Sequence, residues 1–150
     1  MNIKPGQLKL VRDSFAKIVP IADDAAGTFY ARLFEVDPQL QQMFKGDMKV
    51  QGRKLMNMMV AVVRCLDDAG KLLPLVRKLG VGHAANGVRE KDYNTVGIAL
   101  LWTLEKLLGD AFTPAVMNAW AAVYGGLAAT MKDAALENEM MGCRRTGAAG

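Results

Sequence analysis

One histidine, His83, stands in a chain of 150 residues. Imidazole is the commonest metal ligand and the usual acid–base group near neutral pH, so such chemistry through histidine has a single place to occur. A histidine can equally be a hydrogen-bonded structural residue, but the flanking sequence favours a larger role. Leu79, Gly80, Val81 and Gly82 lead into His83, an apolar turn whose glycines would let something flat and bulky lie close to the backbone. Protein zinc sites take three or four protein ligands, which one imidazole does not supply. Cys65 and Cys143 form no metal or redox pattern and are expected to be free thiols.

A single histidine is sufficient where a porphyrin provides the four equatorial bonds to iron. Other residues could line such a disc. Gln51, Lys54, Leu55, Met58 and Met59 recur at helical spacing, so one helix face can present an amide, an ammonium and apolar contacts together. Lys54 reads equally well as a solvated helix residue. Tyr30 shares an apolar stripe with Phe29; a buried phenol needs a hydrogen-bond partner, and it is either core filler or a donor into a pocket.

The elements that must position these residues are helical. Leu8, Val11, Phe15 and Ile18 predict a helix after Pro5, closed by Pro20. A second carries Ala22, Ala25, Ala26, Phe29, Tyr30, Leu33 and Phe34, opened by Asp23 and Asp24 and ended at Asp37-Pro38. A short helical turn then holds Leu40, Met43 and Phe44. Leu55, Met58, Met59, Val62 and Leu66 predict a third long helix over about 50–69, stopped by a left-handed cap at Gly70. A weaker segment, 72–81, is kept short by Pro74, Gly80 and Gly82 and ends just before His83. After the Asn86-Gly87 turn comes a strong helix over about 91–108, closed by Gly109; Thr113-Pro114 opens the last helix, with Val116, Trp120, Val123, Tyr124, Leu127 and Met131. No alternating strand pattern is present. The expectation is an all-α domain over 1–136, six to eight crossed helices around a pocket, with 137–150 a tail that frays as its periodicity fades.

Composition narrows the function. The net charge of +4 is dispersed among acids, as in Lys9, Arg12 and Asp13 or Arg89, Glu90, Lys91 and Asp92, which argues against a nucleic-acid footprint. Only Arg144-Arg145 stands apart. Apolar stretches are broken by charges, so no membrane span or signal peptide is expected and the location expected is cytoplasmic. The ten methionines read first as flexible core filler.

An ordered set of strings is more specific. Phe29-Tyr30, Leu33-Phe34, Asp37-Pro38, then Phe44, then Gln51 with Arg53-Lys54-Leu55-Met56, then His83, Tyr93, Val96-Gly97, Leu108-Gly109-Asp110 and finally Trp120 and Tyr124-Gly125 occur in order and at suitable spacing over about residues 5–134. This set resembles single-domain bacterial globins and is most similar to Vitreoscilla-type globins and the globin domains of flavohaemoglobins. The resemblance implies a globin fold, with His83 as proximal iron ligand and Phe44 as the ring that wedges the haem. It implies Tyr30, Gln51 and Leu55 on the oxygen side, with Tyr30 and Gln51 as hydrogen-bond donors. Lys54, or Arg53 or Lys45, would meet a haem propionate; Met58 would touch the macrocycle, Leu79, Val88 and Val96 would pack the proximal side, and Tyr93 would stand behind the ligand. With no Cys-x-x-Cys-His string the haem would be held non-covalently, as haem b. Having one histidine, the chain cannot form a bis-histidine resting state.

One departure from the resemblance bears on reactivity. In flavohaemoglobins the proximal histidine belongs to a Tyr and Glu network that makes it more electron-donating; here Tyr93 is in place, but the position matching the glutamate is Ala135. Asp133 and Glu137 are two residues to either side and point about 200° away round a helix. The leading expectation is reversible dioxygen binding for storage, delivery or scavenging, with carbon monoxide and nitric oxide as further ligands. The alternative is nitric oxide dioxygenation with a separate reductase, which leaves enzyme status open; a third class is a haem-free helical sensor. Either a monomer or a homodimer is compatible with the sequence.

Overall fold

The computed structural model describes residues 3–149, with the backbone alone for 143–149, so the side chains of Cys143 and Arg144-Arg145 lie outside the described residues. Every regular element described is helical: α1 (Pro5–Ile18), α2 (Ala22–Val36), α3 (Met48–Arg64), α4 (Ala69–Ala85), α5 (Glu90–Leu108) and α6 (Pro114–Ala149), with short 3-10 turns at Val19–Ile21, Pro38–Met43 and Gly109–Ala111. This is the all-α architecture expected. None of these helices is long and apolar enough to cross a membrane.

Local chemistry sets most boundaries. Pro5 and Pro114 begin α1 and α6, where a missing amide hydrogen is harmless. Asp47 caps α3 by accepting from the Lys49 amide at 2.8 Å, and Thr113 accepts from Val116 at 3.2 Å to cap α6. Among the described residues, positive φ occurs only at Gly87 (92°) and Gly109 (55°), the two corners where glycine was expected to turn the chain. Pro20, expected to close α1, instead sits in a 3-10 turn that runs straight into α2.

Helices cross in pairs. α6 packs on α1 and α4, while α2 packs on α5 and α3. Val11, Phe15, Ile18, Val116, Ala119, Trp120 and Val123 join α1 to α6 in the main core. Trp120 donates its indole hydrogen to Ser14 Oγ at 2.8 Å, and Ser14 donates in turn to the Leu10 carbonyl at 2.7 Å, so the one polar seam in this interface is satisfied. A second cluster gathers Phe29, Tyr30, Leu33, Leu40 and Ala99 under Phe34, Phe44 and Leu55.

The segment before His83 differs from its expectation. α3 ends at Arg64, a turn over 65–67 follows, and Asp68 caps α4 by accepting from Lys71 at 3.3 Å. Gly70 therefore lies inside α4 and makes no left-handed cap, and α4 continues past Pro74, Gly80 and Gly82 so that His83 occupies its last turn. Tertiary packing overrides the weak propensity. Pro74 forfeits one hydrogen bond near the helix start, whereas Leu72, Val76 and Gly80 are buried against the body of the protein. Gly80 is there for clearance, since a Cβ on it would lie 2.6 Å from the Cα of Met131 on α6. At the other end, α6 stays helical through residues whose side chains, from Leu136 to Gly142, are exposed. The apolar period fades on this exposed stretch.

Candidate functional site

α2, α3 and the 3-10 turn at Pro38–Met43 assemble an aromatic group around Tyr30. Its ring lies 5.2 Å from Phe29, 5.3 Å from Phe44 and 6.0 Å from Phe34, and the residue is only 7% exposed. Helical spacing places Phe29, Tyr30, Leu33 and Phe34 together on α2, and Phe44 is carried in by the turn that Pro38 starts. Gln51, in the first turn of α3, donates from Nε2 to the Tyr30 oxygen at 3.4 Å. Burial pushes the Tyr30 phenol above its ordinary range, so it keeps its proton, and with the oxygen already accepting from Gln51 that proton is free to be donated. Here the two residues expected to act side by side are coupled: the amide reaches the phenol.

On the other side, α4 delivers His83 and α5 delivers Tyr93, with ring centroids 6.2 Å apart and tilted. Tyr93 is buried, its carbonyl accepts from the Tyr124 hydroxyl at 2.5 Å, and burial raises both phenols well into the protonated range. Gly97 makes room for this contact, since a Cβ there would lie 2.8 Å from the Tyr124 ring. No side chain among the described residues hydrogen-bonds the His83 imidazole, and burial pulls its pKa below 6.5, which keeps it neutral with a lone pair to offer.

Half-buried apolar residues accompany each group. α3 and α4 follow one another in the chain yet scarcely touch. Leu55, Met58, Met59, Leu79, Val88 and Val96 are all half-buried, and they pack partly with the main core and partly with the Tyr30 cluster. A cavity of about 630 Å³ lies between the Pro38–Met43 turn and the Asn86-Gly87 bend, lined by Met43, Lys45, Gly87 and Arg89 among others. Lys54 is exposed on α3 and, like Lys45, forms no ion pair among the described residues. A flat apolar disc with two acidic substituents suits this donor set: a neutral, unpartnered imidazole, half-buried apolar side chains, and Lys45 unpaired at the cavity. No group of three or more histidine, cysteine or acidic side chains able to hold a bare metal ion occurs among the described residues.

Arg89 was not singled out by sequence reasoning. It sits at the entry of α5, where Asp92 accepts from its amide at 2.8 Å and pairs with its side chain at 3.5 Å. Its signal was only a cation six residues beyond His83. Among the described residues no carboxylate hydrogen-bonds the side chain of His83 or Tyr93: Ala135 is half-buried, Asp133 is exposed, Glu137 pairs with Arg77 and Asp92 serves Arg89.

The neutral state of His83 makes stability depend on pH. The unfolded chain takes up a proton near 6.5, whereas the folded imidazole does so only at lower pH. Its contribution is therefore complete above about pH 6.5 and is lost as pH falls through the lower folded value. Acid titration followed by circular dichroism should show this loss in the parent chain and lack that component in His83→Gln; identical acid profiles would refute it.

Comparison with known proteins agrees with this geometry. The family model for globins matches residues 27–131. A flavohemoprotein of Bacillus subtilis (strain 168) is 30% identical over 124 residues, 81% of this chain and 31% of that protein. One of Chromobacterium violaceum is 35% identical over 117 residues, 76% of this chain and 28% of its own, and one of Bordetella parapertussis is 36% identical over 103 residues, 67% and 26%. This chain spans less than a third of the length of these relatives. With helices that cross in pairs, a half-buried neutral histidine in the last turn of α4 and a family match over most of its length, the chain is a haem-binding member of the globin family.

Proposed function

We propose that this globin binds haem b non-covalently and holds dioxygen reversibly, for storage, delivery or scavenging. Bound haem would supply an iron that takes up diatomic gases, carbon monoxide and nitric oxide included. His83 serves as its axial ligand, Phe44 wedges the macrocycle, and Leu55, Met58, Leu79, Val88 and Val96 form its apolar walls. Lys54, Lys45 and Arg89 meet the propionates at the rim, where charge-assisted hydrogen bonds hold carboxylates.

The observation that carries the oxygen reading is the Gln51-to-Tyr30 hydrogen bond. An amide that donates to the phenol oxygen fixes the ring and turns the phenol proton outward, and hydrogen bonds in a chain polarise and strengthen one another. Tyr30 is then the donor to dioxygen and Gln51 its support. The reading of nitric oxide dioxygenation would add a separate reductase, as relatives named flavohemoproteins suggest. A proximal histidine with no carboxylate hydrogen-bonded to it among the described residues favours holding the gas over activating it.

Tyr30→Phe keeps the ring packing and removes the proton. A hydrogen bond contributes about 1 kcal/mol, more to a charged acceptor, so dioxygen release measured by stopped flow should accelerate about fivefold or more. Gln51→Leu should give a smaller acceleration, because it loosens the donor without removing it. An unchanged release rate in Tyr30→Phe would reduce Tyr30 to a packing residue and remove the main support for this reading.

A further inference from the structure

α6 brings a cation to the ring that backs His83. Lys132 Nζ lies 5.7 Å from the centroid of Tyr93, and Tyr93 stands 6.2 Å from the imidazole. At that separation an ammonium is attracted by the face of the ring and held in place. Lys132 is half-buried and forms no ion pair among the described residues. The acids on neighbouring elements are engaged or turned away: Asp92 serves Arg89, Glu137 serves Arg77, and Asp133 is exposed. One uncompensated positive charge therefore faces the His83–Tyr93 pair, partly withdrawn from solvent screening.

We infer that Lys132 sets the reduction potential of the bound haem, holding the iron toward the ferrous state that takes up oxygen. The inference rests on the reading of His83 as the axial ligand. Ferric iron carries one more positive charge than ferrous, so a fixed cation behind the ligand repels the oxidised form more strongly. The same charge holds electron density on the proximal side and so weakens the imidazole as a donor to the iron. Lys132 touches neither the gas nor its donors; it acts through Tyr93 and His83 by charge.

The test is a spectroelectrochemical titration of the haem-loaded full chain with Lys132 varied. Lys132→Met keeps an aliphatic cover over Tyr93 and removes the charge, and Lys132→Gln repeats the neutralisation with a polar side chain. Both should raise the ferric-to-ferrous ratio at a fixed potential about tenfold, a midpoint lower by about 59 mV for a one-electron couple. Lys132→Arg should keep the parent value, and Lys132→Glu should move further in the direction of the neutral variants. A purely structural role for Lys132 predicts equal midpoints for parent, Met and Gln chains with intact Soret bands, and that result overturns the inference while leaving His83 as ligand. A parent chain that develops no Soret band on addition of haem overturns the underlying reading too, and is visible before any potential is applied.

Discussion

His83→Ala should lose axial ligation of haem, with haem affinity lower by about two orders of magnitude or more. Residues that merely orient a metal ligand change affinity by roughly 10–100-fold, and removal of the ligand itself cannot do less. The chain has no second histidine to substitute. Position reinforces the expectation. His83 is in the last turn of α4, neutral, without a hydrogen bond among the described residues, and set against Tyr93. Haem titration at the Soret band measures the affinity, and the ferrous carbon monoxide spectrum reports the axial nitrogen. Free imidazole should restore that spectrum by entering the space left by the ring. Parent-like affinity and spectrum in His83→Ala would refute the assignment.

Gly80→Ala should destabilise the fold by about 2–3 kcal/mol, a magnitude typical of forced overpacking. A Cβ at Gly80 would lie 2.6 Å from the Cα and 2.8 Å from the carbonyl carbon of Met131, and both are backbone atoms that no rotamer change can move aside. α4 and α6 would have to part along their main interface, and α4 carries His83 three residues beyond Gly80, so haem retention should weaken together with stability. For a chain of this size the melting temperature should fall by roughly 4–12 °C. Gly82→Ala is the control: a Cβ there meets nothing within 4 Å, and alanine in a helix is favoured over glycine by about 0.5–1 kcal/mol. Thermal melts followed by circular dichroism separate the two, and equal melting of Gly80→Ala and the parent would mean that the helices do not meet as closely as described.

Gly80 also marks the limit of sequence reading. Next to Pro74 and Gly82, it looked like a reason for a short helix, because propensity is a local quantity. Its actual role depends on Met131, 51 positions later, and no local pattern carries that information. Gln51 was legible as a pocket residue by its spacing from Leu55 and Met58, but the partner of its amide was not, because side-chain hydrogen bonds between helices depend on how the helices cross. Lys132 drew no notice in sequence for the same reason: a lysine three residues before Ala135 gains meaning only when α6 lays it over Tyr93.

What the sequence determined by itself was the helical class, most caps and corners, and the short inventory of side chains able to serve a haem, with His83 the one imidazole. Periodicity, capping chemistry and composition are local or additive, and they survive without knowledge of the fold. Tertiary structure decided the rest. It continued α4 through His83, coupled Gln51 to Tyr30, set Arg89 at the cavity rim and placed an unpaired ammonium behind the imidazole. Each of these joins residues distant in the chain, and contact and charge act through space over a few ångströms, whatever the separation in sequence.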